Sequence, residues 1–364
     1  MLRDSSIVSV NNNERNNLMS EQTSENPFFT TVFIGNRGAG KTSVLSAMYM
    51  ALDEANLPCG LSLVPKTTDE FNLLKNKWRE MNRFIRKQTF GVSIQKPLYH
   101  GSMGFTPHDF ILTGDPSQKD DGLPIRIWDT AGGDTASVNQ HLIDTVSQSF
   151  SVMCAVDATF LWECDSVVNE AMNEVCSIKQ ILKRALNNQE SRVMAVFFLI
   201  TKCEKYMQDD AKRQKLADKF NKEFHSVLEF LQQRRIAAHY MPVQTMGCVE
   251  LARIEEEDDG TWNQYFQVIM GKEFDARDAV HPLSVLLQLC LQILDYATQT
   301  EWDKRTPWGK LKDWLMRRKR PVKLDPLVRA IADHFGAPKD WRTNRNGELA
   351  VVEPGFVSVT DTVK

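Results

Sequence analysis

Phe28-Phe29-Thr30-Thr31-Val32-Phe33-Ile34, running straight into Gly35-Asn36-Arg37-Gly38-Ala39-Gly40-Lys41-Thr42-Ser43, decides the fold of this chain. The first run is β-branched and aromatic and carries no charge, the composition of a buried strand. Gly35 to Thr42 fits G-x-x-x-x-G-K-[ST], and a helix is predicted from Lys41 to about Asp53. Strand, Gly-rich turn and helix together make a phosphate cradle. Gly35, Gly38 and Gly40 let successive backbone N–H groups, that of Ala39 among them, converge on an anion. The helix adds its positive N-terminal end. Lys41 would reach the β- and γ-phosphates of a nucleotide, Thr42 would offer its hydroxyl to Mg2+, and Ser43 lies within reach of the α-phosphate.

Outward from this unit, strands and helices alternate. A helix is predicted over Thr68–Lys87, where Phe71, Leu74, Trp78, Met81 and Ile85 recur at helical spacing. Strands are predicted over His108–Thr113 and Ile125–Asp129, joined by a turn-rich stretch with hairpin chemistry. Further strands fit Ser151–Asp157, Val193–Ile200 and Tyr240–Gln244. Further helices fit Asp165 to about Leu186, Asp209 to about Arg234 and Pro282 to about Gln299. Ile254–Gly260, with five consecutive acids, reads as a solvated loop. The pattern predicts a three-layer α/β fold, its sheet mostly parallel with one antiparallel hairpin strand. It also predicts a polar, Asn-rich, disordered leader over 1–26, a core domain over 27–300 with a helical insertion at about 60–107, and a basic extension over 301–364.

Composition excludes several classes. The chain has 364 residues, with 44 Lys and Arg against 47 Asp and Glu, so its net charge is −3. No global positive field marks a general nucleic-acid binder. The cysteines are scattered and none forms C-x-x-C, so neither a zinc site nor a disulfide scaffold is expected. Val193–Ile200, the longest plain apolar run, is far short of the roughly 20 residues that span a bilayer. No basic-then-apolar leader opens the chain, and a cytoplasmic protein is expected. No Ser/His/Asp or Cys/His arrangement is visible, and the dispersed histidines read as structural. One local asymmetry stands out. From Glu301 to Lys323 nine cations face three acids, with Trp308, Leu311 and Leu315 on one helical face. This segment reads first as a helix docked on the core with a solvated basic face. A protein partner or an anionic membrane surface follows, which would place the protein peripherally at the membrane, and nucleic acid comes last.

A second element completes the site. Ile125 to Trp128, apolar but for Arg126, is a strand ending in Asp129-Thr130-Ala131-Gly132. An acid at that place sits near Mg2+, and Gly132 can give its N–H to a γ-phosphate. Trp128-Asp129-Thr130-Ala131-Gly132 resembles the WDTAG signature of Ras-like GTPases. The resemblance covers about residues 28–300, and the organisation also resembles bacterial double-GTPases of conflict and defence loci. It implies Mg2+, GTP or GDP, a molecular switch, and a partner such as an effector or a second GTPase. Where the family has [NT]-K-x-D, this chain has Thr201-Lys202-Cys203-Glu204. The resemblance assigns Glu204 to guanine N1–H and the exocyclic amine, with one methylene more than the usual Asp. It lays the stem of Lys202 over the base and puts Thr245, in Gln244-Thr245-Met246-Gly247, at the strand end that contacts guanine O6.

The family orients its attacking water with a Gln directly after D-x-x-G. Here that residue is Gly133, followed by Asp134. Intrinsic hydrolysis is therefore expected to be slow, or the water is oriented by Asp134, by backbone or by a partner. Arg37 could act as an arginine finger in cis, or point to solvent or a neighbouring subunit. Thr67, Thr68, Thr89 and Thr106 are candidates for the switch threonine that closes over Mg2+, with Thr89, just after the inserted helix, preferred. Two alternatives stay open: a P-loop ATPase in which 201–204 is coincidental, and an interaction module that holds nucleotide with negligible turnover.

Overall fold

The structure, a computed structural model, describes residues 29–54, 62–87, 94–95, 105–113 and 122–300. Strands β1 (Phe29–Ile34), β6 (Ser151–Asp157) and β7 (Ala195–Thr201) are almost wholly buried. Successive side chains of a strand point to opposite faces, so a strand buried on both must have a layer on each side. Phe33, Met153, Phe197 and Leu199 enter one core with residues of α1 (Lys41–Glu54), α2 (Thr68–Lys87) and α10 (Val280–Thr300). Val32, Ile34, Val152, Cys154, Val196, Phe198 and Ile200 enter the other. There they meet α4 (Gln140–Gln148), α7 (Val175–Asn187), α8 (Asp210–Glu223) and α9 (His225–Gln233). The expected three-layer α/β fold is thus in place.

The main sheet has the order β2-β4-β5-β1-β6-β7-β8, with β2 at Ser62–Pro65, β4 at Thr106–Thr113, β5 at Leu123–Asp129 and β8 at Ala237–Val243. From β5 to β8 every neighbouring pair is parallel. Only β4 runs against the others, between β5 and the edge strand β2. The carboxyl ends of β1, β5, β6, β7 and β8 therefore meet at one edge, where ligands of open α/β sheets bind. A second sheet, β3 (Ile94–Gln95), β10 (Trp262–Val268) and β9 (Val249–Glu256), is antiparallel. Its base packs Val249 and Phe266 against Ile85 of α2.

Several elements differ from expectation. The single helix predicted over Asp165–Leu186 is two, α6 (Ser166–Asn173) and α7, parted by a left-handed Glu174 (φ 51, ψ 42). The helix predicted over Asp209–Arg234 breaks at Phe224, whose ring is fully buried and stacks on Phe220 at 4.7 Å. The acidic stretch Ile254–Gly260 is not a loop. Ile254, Glu255 and Glu256 end β9, and Glu257–Gly260 turn the chain back into β10, with Gly260 N donating to Glu257 O at 2.9 Å. Short helices α3 (Gly132–Ala136) and α5 (Ala158–Glu163), together with α4, were not foreseen, and the insertion before β4 contains strands β2 and β3 as well as α2. Strand β10 and the first half of β9 were not foreseen either, and the other elements agree in kind, with ends shifted by a few residues. The leader over 1–26, the basic segment over 301–323 and Thr89 lie outside the described residues. Among the described residues no helix is long and apolar enough to cross a membrane, and the cysteines are free thiols.

Candidate functional site

The loop between β1 and α1 is built on glycine. Gly35, Gly38 and Gly40 have φ of 133°, 82° and 93°, a region that L side chains disfavour. A Cβ on Gly35 would also lie 2.5 Å from Ala155 O of β6. Inside the loop the buried Lys41 donates through Nζ to Gly35 O at 2.6 Å and Asn36 O at 3.0 Å. Burial pushes its ammonium below the usual lysine range, opposed by the charges of Asp129, Glu174 and Asp134. Two braces hold the loop from outside. Asn36 Nδ2 donates to Met172 O at 2.7 Å. Thr201 Oγ1, at the end of β7, donates to Ala39 O at 2.6 Å, with Val156 O also in reach at 3.2 Å. Thr201 therefore serves the phosphate loop directly. Ser43 sits half-buried on the first turn of α1.

Beneath the loop the two expected metal ligands touch. Thr42 Oγ1 donates to Asp129 Oδ2 at 2.6 Å. Asp129 is only 1% exposed, and its Oδ1 is buried without a partner. An orphaned carboxylate oxygen beside a hydroxyl is a donor set suited to a hard cation such as Mg2+, which takes few protein oxygens and completes its shell with phosphate and water. Among the described residues no cluster of three or more His, Cys, Asp or Glu could hold a metal ion. Thr106 opens β4 in register with Asp129 on β5.

The segment after β5 is fastened to the same loop. Thr130 Oγ1 donates to Phe33 O at 2.6 Å, and Gly35 N donates to Thr135 Oγ1 at 3.1 Å. Between them Gly132 lies against the backbone of Arg37, so closely that a Cβ would fall 2.1 Å from Arg37 N. Arg37 N itself donates to Asn36 Oδ1, and the Arg37 side chain is exposed. Gly133 is exposed with open space where a side chain would stand, and Asp134 occupies the first turn of α3.

At the far end, 201–204 and 244–247 share one corner. Glu204 is buried, and its Oε1 accepts from Met246 N at 3.3 Å. Burial pushes its carboxyl up to about 7, against hydrogen bonds from backbone N–H groups including those of Met246 and Gly247. Thr245, which precedes Met246 in sequence, is buried too. Lys202 has a left-handed backbone (φ 53), and its Nζ donates to Asp157 Oδ2 and to Gln264 Oε1 of β10. Gln264 Nε2 donates in turn to Asp157 Oδ2 at 2.8 Å and to Thr159 Oγ1. The second sheet is thereby pinned to the loop that carries Lys202.

Three participants escaped the sequence, and a fourth was given another role. Asp157 ends β6 with an acid and caps α5, a visible but unspecific signal. Gln264 sits in a strand that was not foreseen, and Glu174 lies inside an unbroken helical periodicity. Thr201 was foreseen, but at the base and not as a brace.

No family profile matches the sequence, and no curated protein does. Solved structures to which the chain bears a partial likeness include sup35 complexed with GDP (10% identity, TM-score 0.29, covering 62% of this chain and 39% of that one). The Ski7 GTPase-like domain of S. cerevisiae, bound to GTP, has 15% identity and a TM-score of 0.32, with coverage of 65% and 46%. The signal recognition particle receptor SRb-GTP/SRX complex from Chaetomium thermophilum has 14% identity and a TM-score of 0.32, with coverage of 56% and 82%. The chain thus spans less than half of the length of the first two.

Proposed function

We propose that this protein binds GTP with Mg2+ and hydrolyses it slowly, as a switch whose nucleotide state governs a partner. The observation that carries this is the Thr42–Asp129 contact under a glycine loop, with one Asp129 oxygen buried and unpartnered. Lys41 would leave the carbonyls of Gly35 and Asn36 for the β- and γ-phosphates. Thr42 and Asp129 would hold Mg2+, which supplies charge neutralisation on the phosphates. Among the described threonines, Thr106 is the best candidate to close over the metal, because it lies in register beside Asp129. Gly132 presents its backbone at Arg37, so a γ-phosphate and the D-x-x-G segment would respond to each other. The exposed Arg37 side chain has the freedom to fold over the phosphates. Glu204, with Thr245 at the neighbouring strand end, would read guanine.

A regulated partner, whether an effector or a second GTPase, an anionic membrane surface met by 301–323, a cytoplasmic or peripheral location and a place in a bacterial defence system belong to the same proposal. The bare Gly133 favours a second one, a nucleotide-holding interaction module without turnover. Fluorescent GTP titration of wild type and Lys41→Ala, with ATP as competitor, tests the first. Tight GTP binding lost in the variant is expected. Tighter ATP than GTP, or binding unaffected by the variant, overturns it. Phosphate release over many turnovers separates switch from module.

A further inference from the structure

Glu174 stands where α6 gives way to α7, in a left-handed conformation that glycine adopts freely and glutamate does not. Two anchors hold it there. Asn173 is buried, accepts from Asp157 N at 2.7 Å, and donates to Asp157 O at 3.1 Å and Asn169 Oδ1 at 2.8 Å. Met172 O accepts from Asn36 of the phosphate loop. The peptide that carries Glu174 is thus strung between the end of β6 and the loop that would hold the phosphates. Strain kept by surrounding structure is a mark of functional positions.

The side chain faces inward. Glu174 Oε2 is buried and has no hydrogen-bond partner. Its charge acts on Lys41, more strongly than that of Asp134 and less than that of Asp129. Of these three acids, Asp129 is engaged by Thr42, and Asp134 rides on the first turn of α3. Glu174 alone has a buried oxygen near the phosphate lysine that neither the metal nor Thr42 claims. The α7 helix that it starts packs against α3, the helix opened by Gly132.

We propose that Glu174 is the catalytic residue that orients the attacking water, in place of the side chain that Gly133 lacks; this rests on the GTP-binding site proposed above. The water oxygen forms a bond to the γ-phosphorus, and the bond from that phosphorus to the β–γ bridging oxygen breaks. The bridging oxygen leaves with its electron pair on GDP. The water proton passes to the Glu174 carboxylate and from there to the released phosphate. Burial lifts this carboxyl to about 7, with Lys41 opposing, so it can take and return a proton near neutrality.

The test compares wild type, Glu174→Gln and Glu174→Gly by single-turnover GTP hydrolysis and by equilibrium binding of a non-hydrolysable GTP analogue. Glycine suits the left-handed backbone, so Glu174→Gly removes the carboxylate while relieving the strain. Both variants are expected to hydrolyse about 100-fold more slowly and to bind the analogue within about threefold of wild type, with Glu174→Gly melting higher. The wild-type rate should rise with pH to a plateau above a midpoint near 7, and that rise should vanish in Glu174→Gln. Wild-type turnover in either variant overturns the inference, as does turnover lost only in step with binding, or a pH profile that Glu174→Gln leaves unchanged. A wild type that binds GTP and never hydrolyses it overturns this inference alone, whereas a wild type that fails to bind GTP overturns the site itself.

Discussion

At the base, as proposed above, Glu204 would make guanine recognition a proton-linked event. In the nucleotide-free protein its carboxyl is lifted from 4.5 to about 7 by burial, with Asp278 adding to the effect. The folded chain therefore holds a proton that the unfolded chain releases between those values. Stability from this group is greatest below pH 4.5 and falls as pH rises through 7, by about 3 kcal/mol in all. Guanine reverses the preference, because its N1–H and amine both donate and need an ionised acceptor. If the bound carboxylate returns to its ordinary range, binding releases one proton. Guanine affinity then drops roughly 20-fold, about 1.8 kcal/mol, from pH 7.5 to 5.5. Adenine behaves oppositely, since its N1 accepts and the protonated carboxyl can donate. The assay is calorimetric titration of GDP and ADP at both pH values. Their affinity ratio cancels the shared ionisation of the diphosphate. It should fall at least 20-fold at the lower pH in wild type and stay flat in Glu204→Gln. A flat ratio in wild type, or the same slope in the variant, refutes the assignment of Glu204 to the base.

Other consequences are equally concrete. Asp129→Asn keeps the shape beside Thr42 and removes the charge. Mg2+ should no longer strengthen nucleotide binding, while the unfolding midpoint is not lowered; a wild-type Mg2+ response would remove Asp129 from the metal site. Thr201→Val deletes the hydroxyl that holds Ala39 O, at a cost of about 1–3 kcal/mol, and should weaken GDP without altering the GDP-to-ADP ratio. Urea unfolding and titration check the two effects, and a changed ratio would move Thr201 back to the base. Arg37→Ala should slow GTP turnover and spare binding, because the side chain is exposed and supports nothing in the loop. Unchanged turnover in a phosphate-release assay would discard the finger in cis.

The parts of the site that could be read beforehand are those encoded within a few residues of one another. Gly35 to Thr42 carries its own strand, turn and helix signals, and Asp129 closes a strand that is apolar but for Arg126. Both ended where expected because the parallel sheet aligns the carboxyl ends of its strands. The pairing of Thr106 with Asp129 depends on the register of β4 against β5, which spacing alone does not fix. The left-handed Glu174 was hidden because apolar periodicity continues across it, from Val168 through Val175 to Ile178. Phe224 broke a helix because its ring is pulled beneath Phe198, a tertiary preference that overrides local propensity. The acids Glu255 and Glu256 masked a strand because β9 is an edge of a sheet exposed there, where charge is tolerated. Lys202 could be placed at its loop, but its partner Gln264 is sixty-two residues further on.

The brace from Thr201 to Ala39 joins residues 162 apart in the chain. The phosphate loop leaves the ribosome well before β7, yet it is finished only after β7 has been made and docked. Its other ties, from Thr135 and Met172, also arrive late. Nascent chains stalled short of residue 201 should therefore fail to retain GTP, and longer ones should begin to. Nucleotide would then tell chains that have docked β7 from shorter ones, stabilising the first and passing over the second.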